Sequence, residues 1–237
     1  MNAPSLPAGL RLYAVGDVHG RLDLLRQLHE LIAADAAGSN ASVKRIVYLG
    51  DYVDRGPDSK GVIELLLEAP LKGFERVLLK GNHEDVMETF LVDASVAPHW
   101  FAYGGIETLE SYGVTAPAHA GEIARAQAEF GARLPATHRK FLASLPLTHR
   151  AGDYFFAHAG VKPGVALGDQ GEEDLLWIRD EFLESNADFG ALVVHGHTIT
   201  ASPVVRANRI GIDTGAFASG KLTALALEDS ERKFIQT

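Results

Sequence analysis

Short apolar runs alternate with stretches of helical period through the first third of the chain. Leu10 to Val15 predicts a strand, and Arg21 to Ala36 repeats apolar residues at the spacing of an amphipathic helix. Arg45 to Leu49 predicts a second strand, then a helix opening near Pro57-Asp58-Ser59, where a proline fits a first turn. Arg76 to Leu79 predicts a third strand, with a helix after Gly81-Asn82-His83-Glu84. Strands alternating with helices imply βαβ units and a largely parallel, buried sheet. From about residue 93 to residue 150 the chain is Ala-rich and helical, around Ile106, Glu122 to Phe130 and Thr137 to Ser144, which reads as a helical insertion. Strands return at Tyr154 to Ala157, Ala191 to Val194, Val204 to Ala207, Arg209 to Ile212 and Leu222 to Leu227. The pattern predicts one α/β domain over residues 1–237, a layered sandwich carrying a helical elaboration.

Composition narrows the function classes. With 46% apolar residues in 237, the chain can bury a sizeable core. A formal net charge of -9 argues against coating nucleic acid, which requires a basic face. There is no cysteine, so thiolate chemistry and disulfides are excluded and any metal must be held by nitrogen and oxygen. Met1 to Gly9 lacks the character of a signal peptide, and no apolar run approaches the roughly 20 residues of a membrane span. A cytoplasmic protein without membrane or nucleic-acid partners is expected; oligomeric state has no signature in the chain.

The polar residues collect after the predicted strands: Asp17 and His19 follow the first, Asp51 and Asp54 the second, Asn82 and His83 the third, His158 the fourth and His197 the fifth. Loops beyond the carboxyl ends of parallel strands line one crevice, so these residues would converge. Carboxylate, imidazole and amide ligands suit Mn, Fe or Zn, and two such ions roughly 3.5–4 Å apart form a hydrolytic arrangement. Asp51 is the candidate bridging carboxylate. Two dications set against Asp17, Asp51 and a hydroxide leave net positive charge, which together with Arg55 suits a phosphate monoester dianion. A lone Gly-Asp is usually a turn, and a lone buried histidine is usually structural. The ordered set of five motifs is what departs from that expectation. Neither a dinucleotide fingerprint nor a phosphate loop is present.

The strings Gly16-Asp17-Val18-His19-Gly20, Gly50-Asp51-Tyr52-Val53-Asp54-Arg55-Gly56, Gly81-Asn82-His83-Glu84, His158-Ala159-Gly160 and Gly196-His197-Thr198 resemble the calcineurin-like metallophosphoesterases. Within that superfamily the chain looks most like the bacterial and bacteriophage-lambda type serine/threonine phosphatases. The resemblance implies an α/β/β/α sandwich and two divalent ions, manganese first, iron or zinc as alternatives. One ion would be held by Asp17, His19 and Asp51, the other by Asp51, Asn82, His158 and His197. His83 would be the general acid, oriented by Asp54, which would also raise its pKa; a positioned acid contributes roughly 10²–10⁴-fold. Arg55 and Arg179 would bind phosphate oxygens, and a metal-bridging hydroxide would attack in line.

His195 is expected at a strand end, near the ligands and not among them. Trp100, Gly104 and Gly105 either approach the rim of the site or pack around a turn. Asp213 is expected to buttress the site and not to ligate. Ile199 stands where the wider superfamily often has another histidine. That difference and Asp54 favour a phosphomonoesterase acting on phosphoserine or phosphothreonine in proteins. The alternatives are a dinucleoside polyphosphate hydrolase, a group expected to be longer and usually to lack the aspartate equivalent to Asp54, or a broad small-molecule phosphatase. A catalytically silent protein that recognises phosphorylated partners is disfavoured by the intact ligand set.

Overall fold

In a computed structural model that describes residues 3–237, the first three apolar runs are parallel strands: β1 (Leu10–Val15), β2 (Val43–Tyr48) and β3 (Phe74–Leu78). Met1 and Asn2, the start of the stretch without signal-peptide character, lie outside the described residues. Helices α1 (Leu22–Ala37) and α2 (Ser59–Glu68) connect the strands. The side chain of Asp58 caps α2 by accepting from Gly61 N at 2.8 Å, so the helix begins where the Pro-Asp-Ser string predicts.

The alternation within β1 explains the layering. Leu10, Leu12 and Ala14 face one side of the strand, while Tyr13 and Val15 face the other. Val15 and Tyr13 pack with Leu25, Leu28 and Ile63 of the helices. Leu12 and Ala14 pack with Tyr154, Phe156, Val194 and Ile210, which belong to a second sheet.

The two-sheet layering is the one the resemblance implies, but the sheets are mixed and not largely parallel. Two five-stranded mixed sheets stack face to face. The first has the order β10-β9-β1-β2-β3, with β9 (Thr223–Glu228) and β10 (Glu231–Gln236) antiparallel. The second has the order β4-β5-β6-β8-β7, from β4 (Thr148–Ala151), β5 (Tyr154–Ala157), β6 (Leu192–His195), β7 (Val204–Val205) and β8 (Arg209–Gly211). Apolar alternation reports that a strand face is buried, not which strand lies beside it. Two strands fall outside the pattern for the same reason. β4 sits at an edge with only Ala151 fully buried, and β10 is a charged edge strand on which Ile235 alone is buried.

The insertion forms α4 (Ala97–Ala102), α5 (Gly105–Ser111), α6 (Ile123–Arg133) and α7 (Ala136–Ala143), after α3 (Asn82–Phe90). It ends before β4, earlier than residue 150. Its Trp100, Phe130 and Leu142 share one apolar cluster with Tyr48 and Phe90, so it is built onto the helical face of the first sheet. On the opposite outer face, α8 (Glu172–Trp177) and α9 (Asp180–Leu183) cover the second sheet through Leu175 and Phe182, completing an α/β/β/α sandwich. Among the described residues no helix is long and apolar enough to cross a membrane.

Candidate metal and phosphate site

The chain turns sharply where β1, β2 and β6 end, and these turns carry the site. Among the described residues seven non-glycine positions have positive φ, and five of them are His19, Asp51, Asp54, Arg55 and His197. Such backbone costs roughly 1–3 kcal/mol per residue and persists only where the surroundings enforce it. Part of that enforcement comes from Glu84 in the first turn of α3. Its carboxylate accepts from Asp51 N and Tyr52 N (both 2.8 Å), Gly81 N (3.0 Å) and Val53 N (3.3 Å), tying the β2 loop to the start of the helix. A further constraint is space. A Cβ at Gly196 would lie 2.0 Å from Asp17 Oδ1, and one at Gly81 would lie 2.2 Å from Asp51 Oδ1.

Asp51 is the common corner of two buried groups. His19, Asp51 and His83 form one, and Asp51, His158 and His197 form the other, each with its donor atoms within 4.8 Å of one another. Asp17 belongs to neither group; its carboxylate accepts from His197 N, at 3.0 Å for the nearer oxygen. Asn82 Oδ1 lies 2.9 Å from both His158 Nε2 and His197 Nδ1. All six residues proposed as ligands from sequence (Asp17, His19, Asp51, Asn82, His158 and His197) are therefore buried in one locality.

The protonation pattern tests whether a cation fits. His19 Nδ1 donates to Val53 O at 2.8 Å, and His158 Nδ1 donates to Leu49 O at 2.9 Å, because a carbonyl can only accept. The Nε2 atom of each ring then presents a lone pair to the site. Burial holds both imidazoles below their usual pKa, His19 at about 3, so both are neutral near pH 7. No proton then lies between His158 Nε2 and Asn82 Oδ1, 2.9 Å apart, or between His158 Nε2 and Asp51 Oδ2, 3.5 Å apart, so lone pairs face one another there. His197 Nε2 is itself buried without a hydrogen-bond partner among the described residues. Burial, and after it the charges of Asp213 and Asp51, push the Asp17 carboxyl well up from its ordinary range. Converging lone pairs and crowded buried carboxylates are the surroundings that a divalent cation with N/O preference satisfies.

Beside this donor set lies a different kind of pair. His83 Nδ1 donates to Asp54 Oδ2 at 2.6 Å, with both side chains buried. Burial pulls the His83 pKa down, but the charge of Asp51 and the Asp54 hydrogen bond outweigh it and the net shift is upward. His83 Nε2 faces Arg55, whose Nη2 is 3.3 Å away. Arg55 is held over the ring of Phe217 at 4.7 Å, and Phe217 also packs edge-on against His19. Arg179 approaches the other side, its Nη1 3.3 Å from Thr198 Oγ1 and 3.4 Å from His197 O. Both arginines line one cavity of about 160 Å³ that also reaches Asp51, Asn82, His83 and His197.

The chain from residue 10 to residue 218 matches the family model for calcineurin-like phosphoesterases. The protein belongs to that family. Metallophosphoesterases use divalent metals, and the buried His/Asp groups described above could hold them. The bis(5'-nucleosyl)-tetraphosphatase PrpE [asymmetrical] of Bacillus cereus (strain B4264) is 25% identical, with 92% of this chain and 90% of that one aligned. Its counterpart from Bacillus thuringiensis (strain Al Hakam) is 24% identical over the same shares. These relatives are of similar length to this chain and not longer, so length does not set it apart from dinucleoside polyphosphate hydrolases.

In fold, the chain is similar to the crystal structure of a provisionally assigned diadenosine tetraphosphatase, with TM-score 0.63, 22% identity and coverage of 99% and 98% of the two chains. It is also similar to a cold-active protein tyrosine phosphatase, with TM-score 0.61, 19% identity and coverage of 99% and 80%. A Saccharomyces cerevisiae protein serine/threonine phosphatase follows at TM-score 0.56 and 17% identity, with 99% and 84% covered.

Several contacts have no sequence signature. Trp100 Nε1 donates to Asp54 Oδ2 at 2.9 Å and Thr108 Oγ1 donates to Asp54 Oδ1 at 2.6 Å, so the insertion supports the His83 partner directly. Asp54 N is shared by Ser59 Oγ and Thr108 Oγ1, and Arg55 N donates to Gly104 O at 3.1 Å. Trp100 and Gly104 thus reach the site as well as packing, while Gly105 packs under the Trp100 ring. Glu84 could have been read from its place three residues after Gly81, the spacing of a capping box. His195 ends β6, buried, its Nδ1 3.0 Å from Gly196 O. The strand stops there, so His197 is placed by its own left-handed backbone and not by strand alternation. Asp213 is buried close to Asp17, and Ile199 is about half exposed.

Proposed function

We propose that the protein is a metal-dependent hydrolase of phosphoanhydride bonds in dinucleoside polyphosphates. The observation that carries this reading is the pair of guanidiniums, Arg55 on the His83 side and Arg179 on the His197 side, lining one cavity with the donor set. Two planar forks facing one donor set can hold the several oxygens of a polyphosphate chain. The Bacillus relatives, named for tetraphosphatase activity and aligned over nearly the whole chain, support the same class.

In this reading Asp17, His19 and Asp51 hold one divalent ion, and Asp51, Asn82, His158 and His197 hold a second. Bound ions supply Lewis acidity toward the phosphoryl oxygens and the attacking water. Arg55 and Arg179 orient the polyphosphate. His83 presents its Nε2 proton to the leaving oxygen as the bond from phosphorus to that oxygen breaks and water bonds to phosphorus. Asp54 keeps the ring in register and favours its charged form.

The second reading, a phosphomonoesterase for phosphoserine or phosphothreonine, draws on the same His83–Asp54 pair. An alkoxide leaving group needs a proton donor more than a phosphate does, because phosphate leaves as a weak base with a second pKa of about 6. A panel with added Mn decides between them: diadenosine tetraphosphate, a phosphoserine peptide, a phosphotyrosine peptide and an aryl phosphate. The highest kcat/KM is expected for diadenosine tetraphosphate. A higher value for the phosphoserine peptide overturns the first reading in favour of the second.

A further inference from the structure

The insertion presents two faces to the site. Trp100 is buried and reaches Asp54, while His99 and Tyr103, one helical turn apart, point to the cavity mouth. Trp177 at the end of α8 meets them from the second sheet's side. The rings form a series from the donor set outward: His197 to Trp177 at 6.3 Å, Trp177 to His99 at 6.2 Å, and His99 to Tyr103 at 4.9 Å between centroids. Tyr103 is 52% exposed, which leaves its ring free to carry another.

We propose that the wall of Trp177, His99 and Tyr103 is a stacking subsite for a nucleobase of the substrate. The inference rests on the polyphosphate reading above. Arg55 and Arg179 line the same cavity and suit phosphates, whereas Trp177, His99 and Tyr103 give it an aromatic wall, with Asp85, Glu172 and Glu173 beside the opposite side of His99 and Trp177. Every base has a π-face, so a row of rings binds it without selecting its identity. Position along the row separates a base from a phosphotyrosine ring. The tyrosyl ring is bonded to the reacting phosphate and would lie against Trp177, next to His197. Tyr103, two rings further out, is reached by a group that ribose and further phosphates hold away from the reacting centre.

The test compares kcat/KM for diadenosine tetraphosphate with kcat/KM for inorganic tripolyphosphate, which has no base, in wild type, Tyr103→Ala, His99→Ala and Tyr103→Phe. The ratio is expected to fall by roughly 5- to 150-fold in Tyr103→Ala, through KM, and to recover in Tyr103→Phe. His99→Ala gives the same readout should Tyr103→Ala fail to fold. An unchanged ratio in the alanine variants, or wild type cleaving the two polyphosphates equally well, overturns the subsite and leaves polyphosphate hydrolysis standing. Wild type that cleaves phosphopeptides and neither polyphosphate overturns the functional reading, and the subsite with it.

Discussion

His83 and Asp54 are joined by a 2.6 Å hydrogen bond, and the carboxylate oxygen that accepts it also accepts the indole N–H of Trp100 at 2.9 Å. Asp54 therefore arrives at His83 already oriented from the opposite side by the insertion. In Asp54→Asn the shape is kept while the negative partner is lost. Turnover of an alkyl phosphate is expected to fall roughly 10²-fold, and turnover of an aryl phosphate, whose leaving group needs little protonation, much less. Equal losses on both substrates would show that the pair does not serve proton transfer.

Trp100→Phe isolates the other half of that relationship. The ring stays in the cluster with Phe90 and Phe130, but Asp54 loses a donor. A hydrogen bond to a charged group contributes about 1.5–3 kcal/mol. A roughly tenfold drop in kcat is expected, with denaturant midpoints showing how much of the effect is stability. An unchanged kcat would leave Trp100 a packing residue only.

Asp51 is shared by both donor groups and His83 belongs to one, so Asp51→Asn should lower bound metal, measured by elemental analysis, more than His83→Asn does. Chelation of the wild-type protein should reduce its thermal midpoint. A ligand present at 100 times its Kd stabilises by about 2.7 kcal/mol if only the folded state binds it. An unaltered midpoint and full metal content in Asp51→Asn would refute its place in the proposed metal site.

Glu84→Gln replaces an acceptor of four backbone N–H groups with a group that must turn an NH₂ toward some of them. A loss of roughly 2–4 kcal/mol in unfolding free energy is expected, from buried donors left unpaired and the left-handed Asp51 loop released. Chemical denaturation measures it. A loss under about 0.5 kcal/mol, the range of ordinary surface changes, would mean the loop holds its shape without the clamp.

Outside the candidate metal site, His29 is buried with Nε2 2.8 Å from Tyr48 Oη, and burial lowers its pKa to about 4. Above pH of about 6.5 both folded and unfolded chains hold it neutral, and it contributes nothing to pH dependence. Between about 6.5 and 4 the unfolded chain takes up the proton first, so stability falls as pH falls. The expected loss from this residue is about 2 kcal/mol by pH 5. Urea unfolding at pH 7.5 and pH 5 should show a smaller pH-dependent loss in His29→Gln; parallel losses would sink the assignment.

The order of motifs at strand ends was legible because local period and glycine placement report where strands stop, and chains leaving parallel strands enter one crevice. That alone brought Asp17, His19, Asp51, Asn82, His158 and His197 into one candidate site. The two-sheet sandwich followed from the resemblance alone, and which strand pairs with which was not legible, since alternation marks a buried face and not its neighbour. Nor were Trp100 and Thr108 on Asp54, Phe217 under Arg55, or the row from Trp177 to Tyr103. Each joins segments distant along the chain, so only the packing of the insertion, α8 and the loop after β8 against the sheets brings them into contact. The sequence by itself determined which groups could do phosphoryl chemistry; the tertiary structure decided what holds His83 and what lines the entrance, because those depend on neighbours that local propensity does not encode.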